Sequence, residues 1–103
     1  MRVTHATVVD GGVCTVRLAG DVDMAEAEAV TEWLRAAIDS SGCEAVEVDL
    51  ADTRFLDSLG IAVLVRAHEH ARVQGVRLRF VNVQPWVRRV FQVAGVADHL
   101  DLS

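Results

Sequence analysis

The feature that most constrains the fold is a change of hydrophobic period around residues 55–61. Before it, from Val46 to Leu50, apolar side chains alternate with acidic ones, which is typical of a β-strand with one buried face. After it, apolar residues from Ile61 onward recur at the spacing of one helix face. The polar pair Asp57-Ser58 separates the two patterns. The sequence therefore predicts a strand-to-helix elbow with Ser58 at the start of the helix.

Ser58 fits two roles at this position. Ser and Asp are favoured helix N-caps, because a side-chain oxygen accepts a hydrogen bond from a backbone N–H that has no partner in the helix. The same position also suits a phosphoryl acceptor, since the N–H groups and dipole of a helix N-terminus favour an anion. Local sequence is compatible with both roles. Thr53, in the polar loop expected over 51–54, is an alternative acceptor.

The first forty residues predict a hairpin followed by a helix. Two β-prone runs, at 4–9 and 13–19, flank the turn signal Asp10-Gly11-Gly12. Asp23 and Glu26 have the spacing of a capping box, which places a helix start at Asp23. Apolar residues from Val30 to Ile38 form one face of this helix, with Trp33 in the middle of the stripe.

The second half of the chain predicts two further helices around a strand. The second helix is expected to run from about Ser58 to Gln74 and to stop at Gly75, and its two histidines, His68 and His70, are interpreted as ordinary helix residues. A strand over 76–80 follows, near an edge of the sheet. Pro85 suits the first turn of a third helix, on which two arginines at 88–89 project into solvent.

Alternating strands and helices predict one α/β domain over residues 1–103. Its sheet is expected to be mostly parallel, with four to five strands, an antiparallel N-terminal strand, and about three covering helices. Aromatic residues make up only 5% of a chain that is 51% hydrophobic, so the core must consist of aliphatic side chains.

Charge and composition exclude several function classes. A net charge of −5 argues against direct binding to nucleic acid, which needs a basic face. No apolar run approaches the roughly 20 residues of a membrane-spanning helix, so a soluble cytoplasmic protein is expected. Cys14 and Cys43 match no metal or redox spacing; Cys14 is expected to be a buried free thiol and Cys43 to be partly exposed.

The sequence shows no cluster of residues that predicts catalysis. It has no glycine-rich phosphate loop, no set of metal ligands and no credible nucleophile-base pair, and an ionised Asp57 would be a weak base for the adjacent hydroxyl. We therefore expect no enzymatic activity, no metal and no cofactor.

The run Asp57-Ser58-Leu59-Gly60-Ile61, preceded by the strand 46–50 and by Gly20-Asp21-Val22-Asp23, resembles the STAS domain family. The resemblance extends from about Thr4 to about Leu100 and is strongest to the small, free-standing anti-sigma-factor antagonists. In that family, the Ser or Thr after the Asp is phosphorylated by a partner anti-sigma factor that is also a serine kinase. Ser58 is the matching position.

The resemblance implies a phosphorylation switch on a binding surface. The unmodified protein would bind the anti-sigma factor and release its sigma factor, phosphorylation of Ser58 would end this binding, and a serine phosphatase would reset the switch. A monomer or weak dimer is expected. The implied partner-binding residues lie in the loop after the second strand and around the elbow: Asp21, Asp23, Thr53, Asp57, Ser58, Leu59, Gly60 and Ile61.

Two departures from the family pattern concern the elbow and the end of the chain. Leu59 is bulky where the family commonly has a small residue, and the final helix of many members is expected to be absent after Leu100. An alternative hypothesis is a STAS accessory or scaffold subunit of a lipid-transport or stress-signalling complex, in which Ser58 only caps a helix. A nucleotide-binding module is a third hypothesis, which the missing phosphate loop disfavours.

Overall fold

A computed structural model describes residues 3–40, 42–100 and 102 of the chain. The described elements follow in chain order: β1 (Thr4–Asp10), β2 (Val13–Val22), α1 (Ala27–Ile38), β3 (Ala45–Asp49), β4 (Thr53–Leu56), α2 (Ser58–Val73), β5 (Arg77–Val81), α3 (Pro85–Val93) and a short 3₁₀ helix (Ala97–His99).

The sheet is mixed, as the sequence predicts, and β2 is its organising strand. β1 pairs with β2 in antiparallel register, whereas β3 and β4 both pair with β2 in parallel. The ten-residue β2 has room for both because β3 takes its first half and β4 its last three residues. The main path runs β1-β2-β3-β5, so β5 lies at an edge. The predicted α/β class, with an antiparallel first strand, is confirmed.

The hydrophobic core lies on one face of this sheet. Alternate residues of the central strands are fully buried, such as Val16 on β2 and Val48 on β3. Each of the three α-helices contributes buried side chains to the same core, and Phe91 of α3 packs against Phe80 of β5 with 6.0 Å between ring centroids. The opposite sheet face is charged: Arg79 and Glu47 form an ion pair of 3.7 Å across neighbouring strands. The helices therefore cover one face of the sheet.

The elements differ from the sequence-based prediction at the start of α1. The helix begins at Ala27, with Glu26 as an N-cap that lacks a side-chain hydrogen bond. Asp23 still accepts a bond from the Glu26 N–H, at 3.2 Å from Oδ1, but it does so in a turn that precedes the helix. The predicted capping box is therefore wrong, because three residues of turn separate Asp23 from the helix.

The loop predicted over residues 51–54 is also wrong in its second half, because β4 begins at Thr53. Only Thr53 and Leu56 of this four-residue strand are buried. A strand this short, with two exposed residues between two buried ones, has no two-residue period that the sequence could reveal.

The expectation of a free Cys14 and a partly exposed Cys43 is wrong. The two residues form a disulfide in the structure, with 5.8 Å between their Cα atoms, and both are buried. The parallel pairing of β2 with β3 explains this contact: Cys14 lies opposite Val46, and Cys43 lies two residues before the start of β3. Local spacing could not predict the contact because it depends on strand pairing across 29 residues.

Asp49, at the end of β3, is a buried carboxylate with 4% of its surface exposed. Its Oδ1 accepts a hydrogen bond from the Ala51 N–H at 2.9 Å, and its Oδ2 accepts one from the Arg17 Nε–H at 3.3 Å. Burial acts to raise the pKa of Asp49, but the bonds from Ala51, Asn82 and Arg17 outweigh it and hold the pKa below its ordinary value of 3.8.

Two side-chain contacts connect α1 to its surroundings. His70 of α2 lies 2.8 Å from Asp39, which follows α1, measured between Nε2 and Oδ1. Trp33 is partly buried and stacks on His5 of β1, with 4.0 Å between ring centroids.

In the part of the chain that the structure describes, no helix has the length and apolarity needed to cross a bilayer.

Candidate partner-binding site at the strand-to-helix elbow

The elbow lies beside the loop that follows β2 because β2 and β4 are adjacent and parallel. Asp21 and Val22 pair with Phe55 and Leu56, so the carboxyl ends of both strands reach the same edge of the sheet. Loops at the carboxyl ends of parallel strands are a common place for binding sites in α/β proteins. The structure thus brings together the two segments that the sequence singled out.

Asp57 fastens these two segments with both carboxylate oxygens. As the N-cap of α2, it accepts a hydrogen bond at Oδ1 from the Gly60 N–H at 2.8 Å. Its Oδ2 accepts a second bond from the Met24 N–H at 3.0 Å, across 33 residues of sequence. A single carboxylate therefore sets the start of the helix and the position of the loop after β2.

Gly60 allows the first turn of α2 to pack directly against the end of β2. A Cβ atom at this position would lie 2.1 Å from the Val22 carbonyl oxygen and 2.9 Å from Leu56 Cδ1. Backbone carbonyls cannot move aside as the end of a flexible side chain can. The close approach therefore requires glycine at this position.

Ser58 is the first residue of α2, exposed to solvent, and it is not the N-cap. The N-cap interpretation of Ser58 is wrong, because Asp57 takes that role. Within the described residues, the Ser58 hydroxyl has no hydrogen-bond partner. Helix geometry also leaves backbone N–H groups of the first turn without a partner inside the helix. Ser58 therefore presents a free hydroxyl beside groups that favour an anion.

Exposed apolar side chains gather around Ser58. Seven large hydrophobic residues are exposed in the described part of the chain, and three of them, Met24, Phe55 and Leu59, lie in the elbow or the loop bonded to it. We call these three residues together with Ser58 the elbow surface. Exposed apolar clusters of this kind mark interaction sites. The free hydroxyl therefore lies in a surface suited to another protein.

A groove between α2 and α3 extends the elbow surface, and we call it the α2–α3 groove. Its volume is about 550 Å³. Ser58 forms part of its wall, and Ile61, Trp86, Val90 and Val93 supply an apolar lining. Arg89 also lines it. Val93 is the most exposed large hydrophobic residue described, at 81%.

Most of the remaining predicted site residues lie at or beside the elbow. Asp23 lies in the loop bonded to Asp57, and Leu59, Gly60 and Ile61 form the first turn of α2, so the structure gathers them at the elbow. Asp21 is the next-to-last residue of β2, beside Phe55.

Thr53 is different, since it is 2% exposed and its hydroxyl donates a hydrogen bond to the Leu18 carbonyl at 2.9 Å. The structure therefore does not bring Thr53 to the surface.

Sequence reasoning missed Met24, Phe55 and the α3 side of the groove as parts of the site. Val93 offered a signal, because an apolar residue outside the buried stripe of a short helix is a candidate contact. Arg89 offered no such signal, because the position of α3 beside α2 determines where the arginine lies.

Among the residues described, no group of three or more His, Cys, Asp or Glu could hold a metal ion.

A mixed five-stranded sheet with helices on one face and an exposed serine at an elbow defines a small α/β domain. The family model of the STAS domain matches residues 5–103. The chain therefore belongs to the STAS domain family.

Several relatives bear names that describe the same class of regulator. An anti-sigma F factor antagonist of Paenibacillus polymyxa is 28% identical over 85 residues, which are 82% of this chain and 73% of that protein. The fold also matches a crystal structure of an anti-sigma factor antagonist from Mycobacterium paratuberculosis. The match covers 98% of this chain and 85% of that chain, with 26% sequence identity and a TM-score of 0.86.

The antagonist SpoIIAA of Bacillus has been solved in two forms, and both share the fold of this chain. The unphosphorylated form covers 97% of this chain and 88% of its own, with 21% identity and a TM-score of 0.77. The match to the phosphorylated form covers 99% of this chain and 91% of that chain, with 20% identity and a TM-score of 0.71. At these identities the likeness shows the fold alone.

Proposed function

We propose that this protein is an anti-sigma-factor antagonist. Its elbow surface binds an anti-sigma factor of the serine-kinase type, and this binding releases the sigma factor. The observation that carries the proposal is the exposed Ser58 hydroxyl, which has no capping role and lies among exposed apolar side chains. The antagonist names of the relatives support the same class of partner.

Phosphorylation of Ser58 is the switch in this proposal. The Ser58 oxygen attacks the γ-phosphate of an ATP bound to the kinase, its proton passes to a base of the kinase, and ADP leaves. The product carries about −1.5 to −2 charges at neutral pH. This charge is added beside Asp57 and the loop that holds Asp23, so it repels any acidic group of the partner and weakens binding.

The fold should tolerate the phosphate better than the interface does. The first-turn N–H groups and the dipole of α2 compensate part of the charge. In this proposal, a serine phosphatase hydrolyses the phosphate ester and restores the binding form.

The proposal assigns no catalytic role to residues of this chain. Both oxygens of Asp57 already accept backbone hydrogen bonds, from Gly60 and Met24. The carboxylate is therefore occupied with holding the elbow and is not directed at the Ser58 hydroxyl. The base for phosphoryl transfer would come from the kinase.

Phosphorylation assays with purified kinases test the proposal. Each kinase-type anti-sigma factor of the source organism is incubated with this protein and ATP, and the product is followed by intact-mass spectrometry and site mapping. We expect one phosphate on Ser58 and none in Ser58→Ala. Ser40→Ala is the matched control, because Ser40 is also exposed but lies just beyond the end of α1, and it should be phosphorylated like the wild type.

Two results would contradict the proposal. Phosphate at another residue with Ser58 unmodified would remove the switch. Failure of every such kinase to bind or phosphorylate the protein would remove the antagonist function and favour a constitutive STAS interaction module.

A further inference from the structure

We infer that the α2–α3 groove receives a segment of the anti-sigma factor that carries apolar side chains and a carboxylate, and that Arg89 binds this carboxylate. The inference rests on the proposed function and specifies the chemistry of the partner. It extends the binding surface beyond the elbow to α3.

The lining of the groove determines the apolar part of this occupant. Ile61, Trp86 and Val90 are partly buried and Val93 is largely exposed, so the groove exposes apolar surface that the described part of the chain leaves uncovered. Covering such surface is favourable in proportion to the apolar area removed from water. Ser58 belongs both to the groove wall and to the elbow surface, so one partner can cover both regions without a gap.

Arg89 determines the charged part of the segment that binds in the groove. Its side chain is exposed, lines the groove, and makes no hydrogen bond or ion pair within the described residues. A guanidinium at the border of an apolar groove matches a carboxylate, with which it can form two parallel charge-assisted hydrogen bonds. Because the elbow side carries Asp57 and Asp23, the positive charge of Arg89 also sets the orientation of the bound segment.

The position of Ser58 connects this contact to the switch. Ser58 and Arg89 line the same groove. A phosphate on Ser58 would repel the incoming carboxylate and would compete with it for the Arg89 guanidinium. Phosphorylation would thus remove a specific contact in addition to adding repulsion.

Arg89→Gln tests the charged contact, and Arg88→Gln is its matched control. Arg88 precedes Arg89 on α3 and does not line the groove. Affinity for the purified kinase-type anti-sigma factors is measured by titration calorimetry. We expect Arg89→Gln to weaken binding about tenfold, the loss of one charged hydrogen-bonded contact, and Arg88→Gln to leave it unchanged.

Val93→Ser tests the apolar contact, and Val73→Ser is its control. Val73 is similarly exposed, at 67%, but it is the last residue of α2, at the opposite end of the helix from Ser58. Both valines are exposed in the free protein, so neither change should impair folding. We expect several-fold weaker binding for Val93→Ser alone.

A phosphorylated series tests the link to the switch. Phosphoserine is introduced at position 58 during translation, so that its presence does not depend on binding to the kinase. Phosphorylation should weaken binding less in Arg89→Gln than in the wild type, because the Arg89 contact is already absent.

The outcomes separate this inference from the proposed function. If an anti-sigma factor binds the wild type, Arg89→Gln and Val93→Ser with equal affinity, the groove is not part of the interface and the inference fails, while the antagonist function stands. If none of these anti-sigma factors binds the wild type, the proposed function fails and the inference fails with it.

Discussion

Two aspartates at the carboxyl ends of strands show how the same structural device can serve stability or recognition. Asp49 is the last residue of β3 and Asp57 follows β4, and each carboxylate accepts a hydrogen bond from the backbone N–H of a residue two or three positions later. Asp49 is buried and also bound by Arg17 and Asn82. Asp57 instead reaches across to Met24 and leaves the neighbouring Ser58 exposed. The Asp49 turn is enclosed by the fold, whereas the elbow is held in place and left open.

The difference suggests that the elbow is rigid without being covered. The close packing of Gly60 against Val22 fixes the start of α2. The bond between the Asp57 carboxylate and the Met24 N–H fixes the loop after β2. A binding surface presented on such a fixed framework loses little conformational entropy on association. Substitutions that separate framework from surface can test this interpretation.

The largest effect is expected from Gly60→Ala, which would break the elbow framework. The added methyl group would lie 2.1 Å from the Val22 oxygen, so α2 must shift away from β2. Overpacking of this severity costs about 3 kcal/mol in the free energy of unfolding. Urea unfolding measures the loss. An unchanged unfolding midpoint would show that the elbow is compliant and not rigid.

The next effect concerns the enclosed turn. Asp49→Asn replaces the buried carboxylate that accepts hydrogen bonds from the Ala51 N–H and from the exposed Arg17 with an uncharged amide, and it should reduce stability by about 1–3 kcal/mol at neutral pH. Urea unfolding of the variant and the wild type gives this difference directly. Asp52→Asn is the control, since Asp52 is exposed and its ion pair with Arg17 is longer, at 3.8 Å.

The pH dependence of this difference has a defined sign. Because the pKa of Asp49 is lower in the folded protein than the ordinary value of 3.8, protonation favours the unfolded state. The stabilisation is therefore complete above pH 3.8 and disappears as the pH falls through the lower, folded-state pKa. The gap between wild type and Asp49→Asn should close on acidification. A constant gap from pH 6 to pH 3 would contradict the assignment.

Asp57→Ala should have a smaller effect on stability and a larger one on the site. Loss of the N-cap bond to Gly60 costs about 1–2 kcal/mol. Loss of the bond to Met24 releases the loop after β2, so amide hydrogen exchange should accelerate at Met24 as well as at Gly60. Faster exchange at Gly60 alone would mean that the loop is held in place by other contacts.

Sequence predicted well what depends on neighbouring residues. The end of α2 before Gly75 and the Pro85 start of α3 follow from local helix signals, and both occur as predicted. Ser58 was correctly placed at the start of a helix, although Asp57 is the cap. Local preferences for Ser and Asp as caps are too similar to distinguish two adjacent candidates.

Sequence failed where distant segments meet. The β4 strand, the Cys14–Cys43 disulfide and the Asp57–Met24 bond all depend on how β2 pairs with two different strands. The α2–α3 groove depends on where α3 lies relative to α2. Such contacts leave no periodic signal in the chain, so the apolar extension of the site and the position of Arg89 became visible only in the structure.

The smallest expected effect is that of Ser58→Ala. This variant distinguishes the exposed surface of the elbow from the framework that holds it. Because the Ser58 hydroxyl makes no hydrogen bond in the described residues and Asp57 supplies the cap, the change in the free energy of unfolding should stay within about 0.5 kcal/mol. Alanine is also a good helix former at an exposed first-turn position. Urea unfolding beside Asp57→Ala provides the comparison. A loss as large as that of Asp57→Ala would show that Ser58 supports the helix start, and the serine would then belong to the framework of the elbow instead of its exposed surface.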